Sequence, residues 1–182
     1  MELNGAAFSF ETPDAWEIIP AEGMVAASAP PDYLGFRPTI VLRESRIDNP
    51  APTTLASISQ ANLRAIPQEV AGAYVVNVEA IPDGDAGPGP RERRRIWALA
   101  PVKPPTDDLL GVIMIQDLMV AGNSIAELTL TLPVVTWRPD GSFERILDSL
   151  RPLEHGMLPQ LTAQVPEAVL DRWATARDGA PR

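Results

Sequence analysis

The most regular pattern in the chain is "SIAELTLTLPVV", in which Leu128, Leu130 and Leu132 alternate with Glu127, Thr129 and Thr131. An apolar–polar period of two is the signature of a strand with one buried face. The preceding run, "GVIMIQDLMVAG" at 111–122, is apolar on both faces through its first half, as a strand covered on both sides is. Gly122 and Asn123 between the two runs predict a tight hairpin turn. Further strands are expected at 7–11, 16–19, 24–28, 39–46, 74–81 and 93–100. Prolines 13, 20, 30, 31 and 38 punctuate the early ones, and "PDGDAGPGP" joins the last two as a long hairpin loop. The break at Pro13 and Asp14 reads as a corner near a sheet edge, after which Trp16 packs at one end of the core.

Helical period appears in two places within this strand-rich stretch. In "DGSFERILDSLRPL" at 140–153, Phe143, Ile146, Leu147 and Leu150 fit i, i+3, i+4, i+7, with Asp140 or Ser142 as cap and Pro152 as stop. A looser stripe of Leu55, Ile58 and Ile66 runs through 54–66, capped by Thr53 or Thr54 and bounded by Pro67. The fold class expected is α+β: one antiparallel β-sheet of sequential hairpins with two main helices packed on one face, complete at residue 153. Residues 154–182 form a C-terminal tail in which "PEAVLDRWATAR" reads as a short amphipathic helix. Its apolar stripe of Val169, Leu170 and Trp173 is the candidate partner interface, unless that helix packs back on its own sheet.

Composition narrows the chemistry. The 182 residues carry a net charge of −9, which disfavours nucleic acid and anionic membrane surfaces as partners. Cysteine is absent and His155 is the single histidine, so no metal site, no catalytic histidine and no cofactor is expected. The chain holds no G-x-S-x-G, P-loop or G-x-G-x-x-G motif, and the prolines of "GDAGPGP" remove amides that would cradle a phosphate. Acidic pairs at 83–85 and 107–108 lack the spacing of a calcium loop and read as solvated turns. "RERRR" at 91–95 sets Arg91, Arg93 and Arg95 on one strand face, which reads as a solvated strand entrance paired to nearby acids. Asp117, inside an apolar run, reads as the end of the buried part of its strand. A basic leader followed by an apolar run is missing at the start, and no apolar segment is long enough to span a membrane, so the cytoplasm is the expected location. Abundant Ala, Pro and Arg with a single lysine, Lys103, suggest a GC-rich bacterial genome.

Four segments together resemble the PsbP-like α/β-sandwich superfamily, in particular its DcrB-type bacterial domains. They are "FSFETPDAW", "PTIVLRESRI" followed by "TLASISQANL", "IMIQDLMVAGNSIAELTLTLP", and "FERILDSLRPL". "APPDYLGFRPTIVL" is similar to the actinobacterial LpqN-like group, from which the chain departs in having no signal peptide and no lipobox cysteine. The resemblance implies a non-enzymatic protein that binds proteins or lipids. One DcrB-type branch, the Eag proteins, chaperones secreted toxin effectors. The expected function is thus a non-enzymatic protein-binding or adaptor module with a protein partner; self-association, and a cytoplasmic chaperone linked to a secretion system, are forms that such a module can take. Alternatives are a structural subunit of a larger assembly and an envelope-associated protein for a small ligand or lipid. An enzyme with an unrecognised site ranks last.

Overall fold

The computed structural model describes residues 1–32, 35–47, 55–81, 92–103, 109–137 and 141–153. In chain order the strands are β1 (Glu2–Asn4), β2 (Phe8–Glu11), β3 (Glu17–Ile19), β4 (Val25–Ser28) and β5 (Thr39–Arg46). Helix α1 (Leu55–Glu69) follows, then β6 (Tyr74–Ala80), β7 (Glu92–Val102), β8 (Leu110–Ala121) and β9 (Ser124–Pro133). A 3-10 turn (Val134–Thr136), helix α2 (Glu144–Asp148) and β10 (Arg151–Pro152) end the described chain. Among the described residues every strand pair is antiparallel.

The β8–β9 hairpin is the spine. Its register runs from Val112↔Pro133 to Ala121↔Ser124, leaving Gly122 and Asn123 as a two-residue turn. Gly122 takes φ +60° while Asn123 does not go positive, the type II′ pattern that matches strand twist. Alternation then sorts side chains to two faces. Ile115 and Met119 of β8 join Leu128, Leu130 and Leu132 of β9 in one core, and Val112 and Leu118 join Ile125, Ile96, Ala98 and Ala100 in the other.

Two cores correct the expectation of a single sheet with both helices on one face. The strands form a seven-stranded sheet, β3-β4-β5-β9-β8-β7-β6, and a separate three-stranded sheet, β1-β2-β10. Helix α1 covers one face of the large sheet through Leu55, Ile58 and Ile66. The small sheet and α2 cover the opposite face through Phe8, Phe10, Ile146, Leu147 and Leu150. The reason is the two-faced apolarity of β8: each face needs its own cover. Phe8 and Phe10 are fully buried, worth about 1.5–3 kcal/mol each.

The corner at Pro13 is where the chain changes sheets. β2 lies in the small sheet and β3 in the large one, with the Trp16 amide donating to the Pro13 carbonyl at 3.0 Å and Trp16 buried in the first core. Glu44 of β5 fastens the two sheets together. Its carboxylate accepts from the backbone amides of Ala6 (2.5 Å), Ala7 (2.9 Å) and Phe8 (2.7 Å). Gly5 permits that approach, since a Cβ there would stand 2.5 Å from Glu44 Oε2.

Both helices differ in extent from their sequence patterns. α1 continues past Pro67 to Glu69, and the Val70 amide still reaches the Ile66 carbonyl at 3.0 Å. Pro67 has no amide to donate to the Leu63 carbonyl, and the helix ends two residues later. α2 is only five residues long, with Phe143 at its N-cap and no side-chain cap bond. It stops early because Ser149 Oγ accepts the Glu11 amide (2.7 Å) and Arg151 and Pro152 pair with Ser9 and Phe8 of β2. The tail at 154–182, and with it the domain boundary drawn at residue 153, lies outside the described residues.

Candidate functional site

Behind α2 the sheet carries a buried ion cluster. β7 and β8 pair Arg95 with Asp117, so side chains of both, and of Arg93, emerge on the face that α2 covers. Arg95 Nε donates to Asp117 Oδ1 at 2.6 Å and its NH2 to Oδ2 at 2.9 Å. Arg93 donates to Asp117 Oδ2 through both Nε (3.0 Å) and NH2. The same two guanidinium groups hold α2: Arg93 NH2 donates to the Leu147 carbonyl (2.6 Å) and Arg95 NH2 to Asp148 Oδ1 (2.8 Å). Burial alone would lower the Arg95 pKa, but the hydrogen bonds and charges of Asp117 and Asp148 outweigh it and raise the value. Two cations and two anions leave the cluster neutral, and Asp117 accepts four charge-assisted bonds. Such charge-assisted bonds are among the strongest in a protein and anchor β7 and β8 to α2.

The expectation for these residues is corrected in two respects. Asp117 is fully buried mid-strand, not at the end of the buried segment, and Arg95 is only 5% exposed rather than solvated. The pairing of the basic run with acids does occur, with Arg93 and Arg95 as its members.

On the other face a polar triad lies under α1. Asn62 Nδ2 donates to Gln116 Oε1 (3.0 Å) and to Glu127 Oε2 (3.4 Å), and Gln116 Nε2 donates to Glu127 Oε1 (2.8 Å). Burial raises the Glu127 pKa, and Glu69 adds to the rise, against the lowering effects of Arg43, Asn62 and Gln116. Both carboxyl oxygens are occupied by amide donors, which do not transfer protons. The triad therefore specifies how α1 seats on the sheet. Glu127 had the look of a wet-face residue in β9, because α1 comes to cover it from elsewhere in the chain. Among the described residues no group of three or more His, Cys, Asp or Glu is placed to hold a metal ion.

A third feature faces outward. Seven large apolar side chains are exposed among the described residues, and five of them lie at or beside one end of the large sheet: Tyr74, Val76, Leu109, Val134 and Val135. Strand register explains the grouping. Tyr74 pairs with Leu99, Leu99 with Ile113 and Ile113 with Leu132, so the start of β6, the end of β7, the start of β8 and the end of β9 meet there. Leu109 precedes β8 and is 75% exposed, and Val134 and Val135 form the 3-10 turn after β9. Trp97 and Trp137 stiffen this end in an edge-to-face pair, centroids 6.3 Å apart at 86°. Trp97 Nε1 also donates to Glu79 Oε1 at 3.0 Å, tying β7 to β6.

The candidate interface residues Val169, Leu170 and Trp173 lie outside the described residues, as do His155 and the acidic pairs at 83–85 and 107–108. Sequence reasoning missed the rim. The only available signal was the run of apolar residues at strand ends, which period-two analysis assigns to faces rather than to ends.

Three layers, with α1, the seven-stranded antiparallel sheet, and the small sheet with α2 in turn, define a PsbP-like α/β sandwich. The solved structures that share it bear this out at the level of fold. The PsbP protein of Synechocystis (CyanoP) superposes with a TM-score of 0.57 at 15% identity, covering 80% of this chain and 86% of that one. PA94 from Pseudomonas aeruginosa gives 0.54 at 14% identity, covering 80% and 91%. The Ran-binding protein Mog1p from Saccharomyces cerevisiae gives 0.53 at 9% identity, covering 83% and 93%. No protein-family profile matches the chain, and no curated protein matches it.

Proposed function

We propose that the chain is a non-enzymatic protein-binding module whose contact surface is the apolar rim formed by Tyr74, Val76, Leu109, Val134 and Val135. The gathering, among the described residues, of five of the seven exposed large apolar side chains at one end of the sheet carries this reading. Exposed apolar side chains scattered singly are ordinary, whereas grouped ones mark docking surfaces. The buried polar clusters support it from the other side: their hydrogen-bonding capacity is spent on seating helices, which leaves them poor catalytic groups. One matched fold, yeast Mog1p, is described as a Ran-binding protein, so this architecture serves protein recognition elsewhere.

A narrower form of the proposal is a cytoplasmic chaperone that holds an apolar segment of a secreted protein. It expects a captured partner to carry such a segment. The test is affinity capture with the intact chain as bait, beside a bait carrying Leu109→Asp and Val135→Asp. A partner retained in stoichiometric amount by the first and lost by the second, with both baits melting at the same temperature, is the expected result. Equal retention by both baits, or turnover of a small molecule by the pure protein, overturns the proposal.

A further inference from the structure

The hydrogen bonds of the triad under α1 all run one way. Asn62 Nδ2 donates to Gln116 Oε1 at 3.0 Å, and Gln116 Nε2 donates in turn to Glu127 Oε1 at 2.8 Å. A longer contact, 3.4 Å, runs from Asn62 Nδ2 to Glu127 Oε2 and closes the ring. Both carboxyl oxygens therefore meet donors, the arrangement that suits an ionised carboxylate. A proton on Glu127 would point at an amide donor, and an enclosed hydroxyl facing a donor costs free energy. Turning both amides end for end restores the pairing: Glu127 then donates to Gln116 Oε1, and Gln116 Nε2 donates to Asn62 Oδ1. The 3.4 Å contact is given up and the two shorter bonds are kept. Asn62 and Gln116 are buried while Glu127 is half-buried, so its proton comes from solvent.

We propose that Asn62, Gln116 and Glu127 form a proton-operated switch, in which uptake of one proton at Glu127 reverses the hydrogen-bond chain and changes how the sheet grips α1. The charged groups that bear on Glu127 are Arg43, directly opposite it on β5, and Glu69 of α1. Its β8 neighbours on that face, Gln116 and Leu118, are uncharged. Arg94 of β7 lies one strand further along the same row, beyond Leu118, and Arg64 of α1 is exposed. Burial and Glu69 favour the protonated acid, Arg43 and the two amides favour the anion, and burial dominates. The folded carboxyl thus holds its proton to higher pH than the unfolded one does. The seat of α1 is accordingly firmest in acid and slackens as pH rises through the folded midpoint. Because each state keeps two short hydrogen bonds within the triad, the element has two discrete arrangements rather than a continuum.

Solution NMR of the intact, isotope-labelled chain over a pH series tests this. Expected is one shared midpoint, above the 4.5 of a free carboxyl, for the Glu127 carboxyl carbon and for the side-chain amides of Asn62 and Gln116. Below that midpoint the Overhauser contacts of the Gln116 amide protons pass from Glu127 to Asn62. The backbone amides of α1 exchange more slowly there, after correction for the intrinsic pH dependence of exchange. In Glu127→Gln, whose side chain takes up no proton, one set of contacts is expected at every pH. Gln116 contacts that stay the same across the Glu127 titration overturn the inference, as does a Glu127 midpoint at or below 4.5. The wild-type titration is a complete test by itself, so the inference stays falsifiable whether or not the variant folds.

Discussion

At the scale of single residues, the informative positions are carboxylates that the fold buries. Asp117, itself fully buried, accepts hydrogen bonds from two guanidinium groups. Asp117→Asn strands them with only Asp148 as counter-charge and is expected to lower stability by about 3–5 kcal/mol, read as a shifted urea midpoint. Glu127 behaves in the opposite sense. Its pKa is raised in the folded state above the 4.5 of a free carboxyl, so the unfolded chain gives up the proton first as pH rises. The resulting stabilisation is full below the unfolded value and is lost as pH climbs through the folded one. Glu127→Gln removes that loss. The variant should therefore lose less stability than wild type between acid and neutral pH, in thermal scans over a pH series.

Among the elements, α2 shows how a strong periodic signal and a short helix coexist. Its stripe of Phe143, Ile146, Leu147 and Leu150 faces the core as the period requires, and Leu147 is fully buried. Only the middle of the segment is helical, because β2 draws Arg151 and Pro152 into the small sheet. Leu147→Ala should cost about 2–5 kcal/mol in equilibrium denaturation, the range for emptying a packed leucine site. The effect belongs to the layer rather than to the helix, since α2 is held through Arg93 and Arg95 as well as through its apolar stripe.

For the whole molecule, the last described strand joins the two ends of the described chain. β10 completes the small sheet, and the Leu153 amide donates to the Ala7 carbonyl at 2.8 Å. A chain ending after Leu153 is accordingly expected to unfold cooperatively with a denaturant slope and midpoint close to those of the full chain. Loss of a cooperative transition on that truncation would assign 154–182 to the core. Much of this architecture was legible beforehand. Alternation in β9, the two-faced apolarity of β8, the Gly122 turn and the stripe at 143–150 each express a local period, and local periods survive in any tertiary setting. The partition into two sheets, the placement of α1 and α2 on opposite faces, and the burial of Asp117 and Glu127 were decided only by tertiary structure. Periodicity says that a face will be covered but not by what. Arg95 and Asp117 meet across 22 residues and Asn62 and Glu127 across 65, through strand register and helix docking that no local pattern encodes.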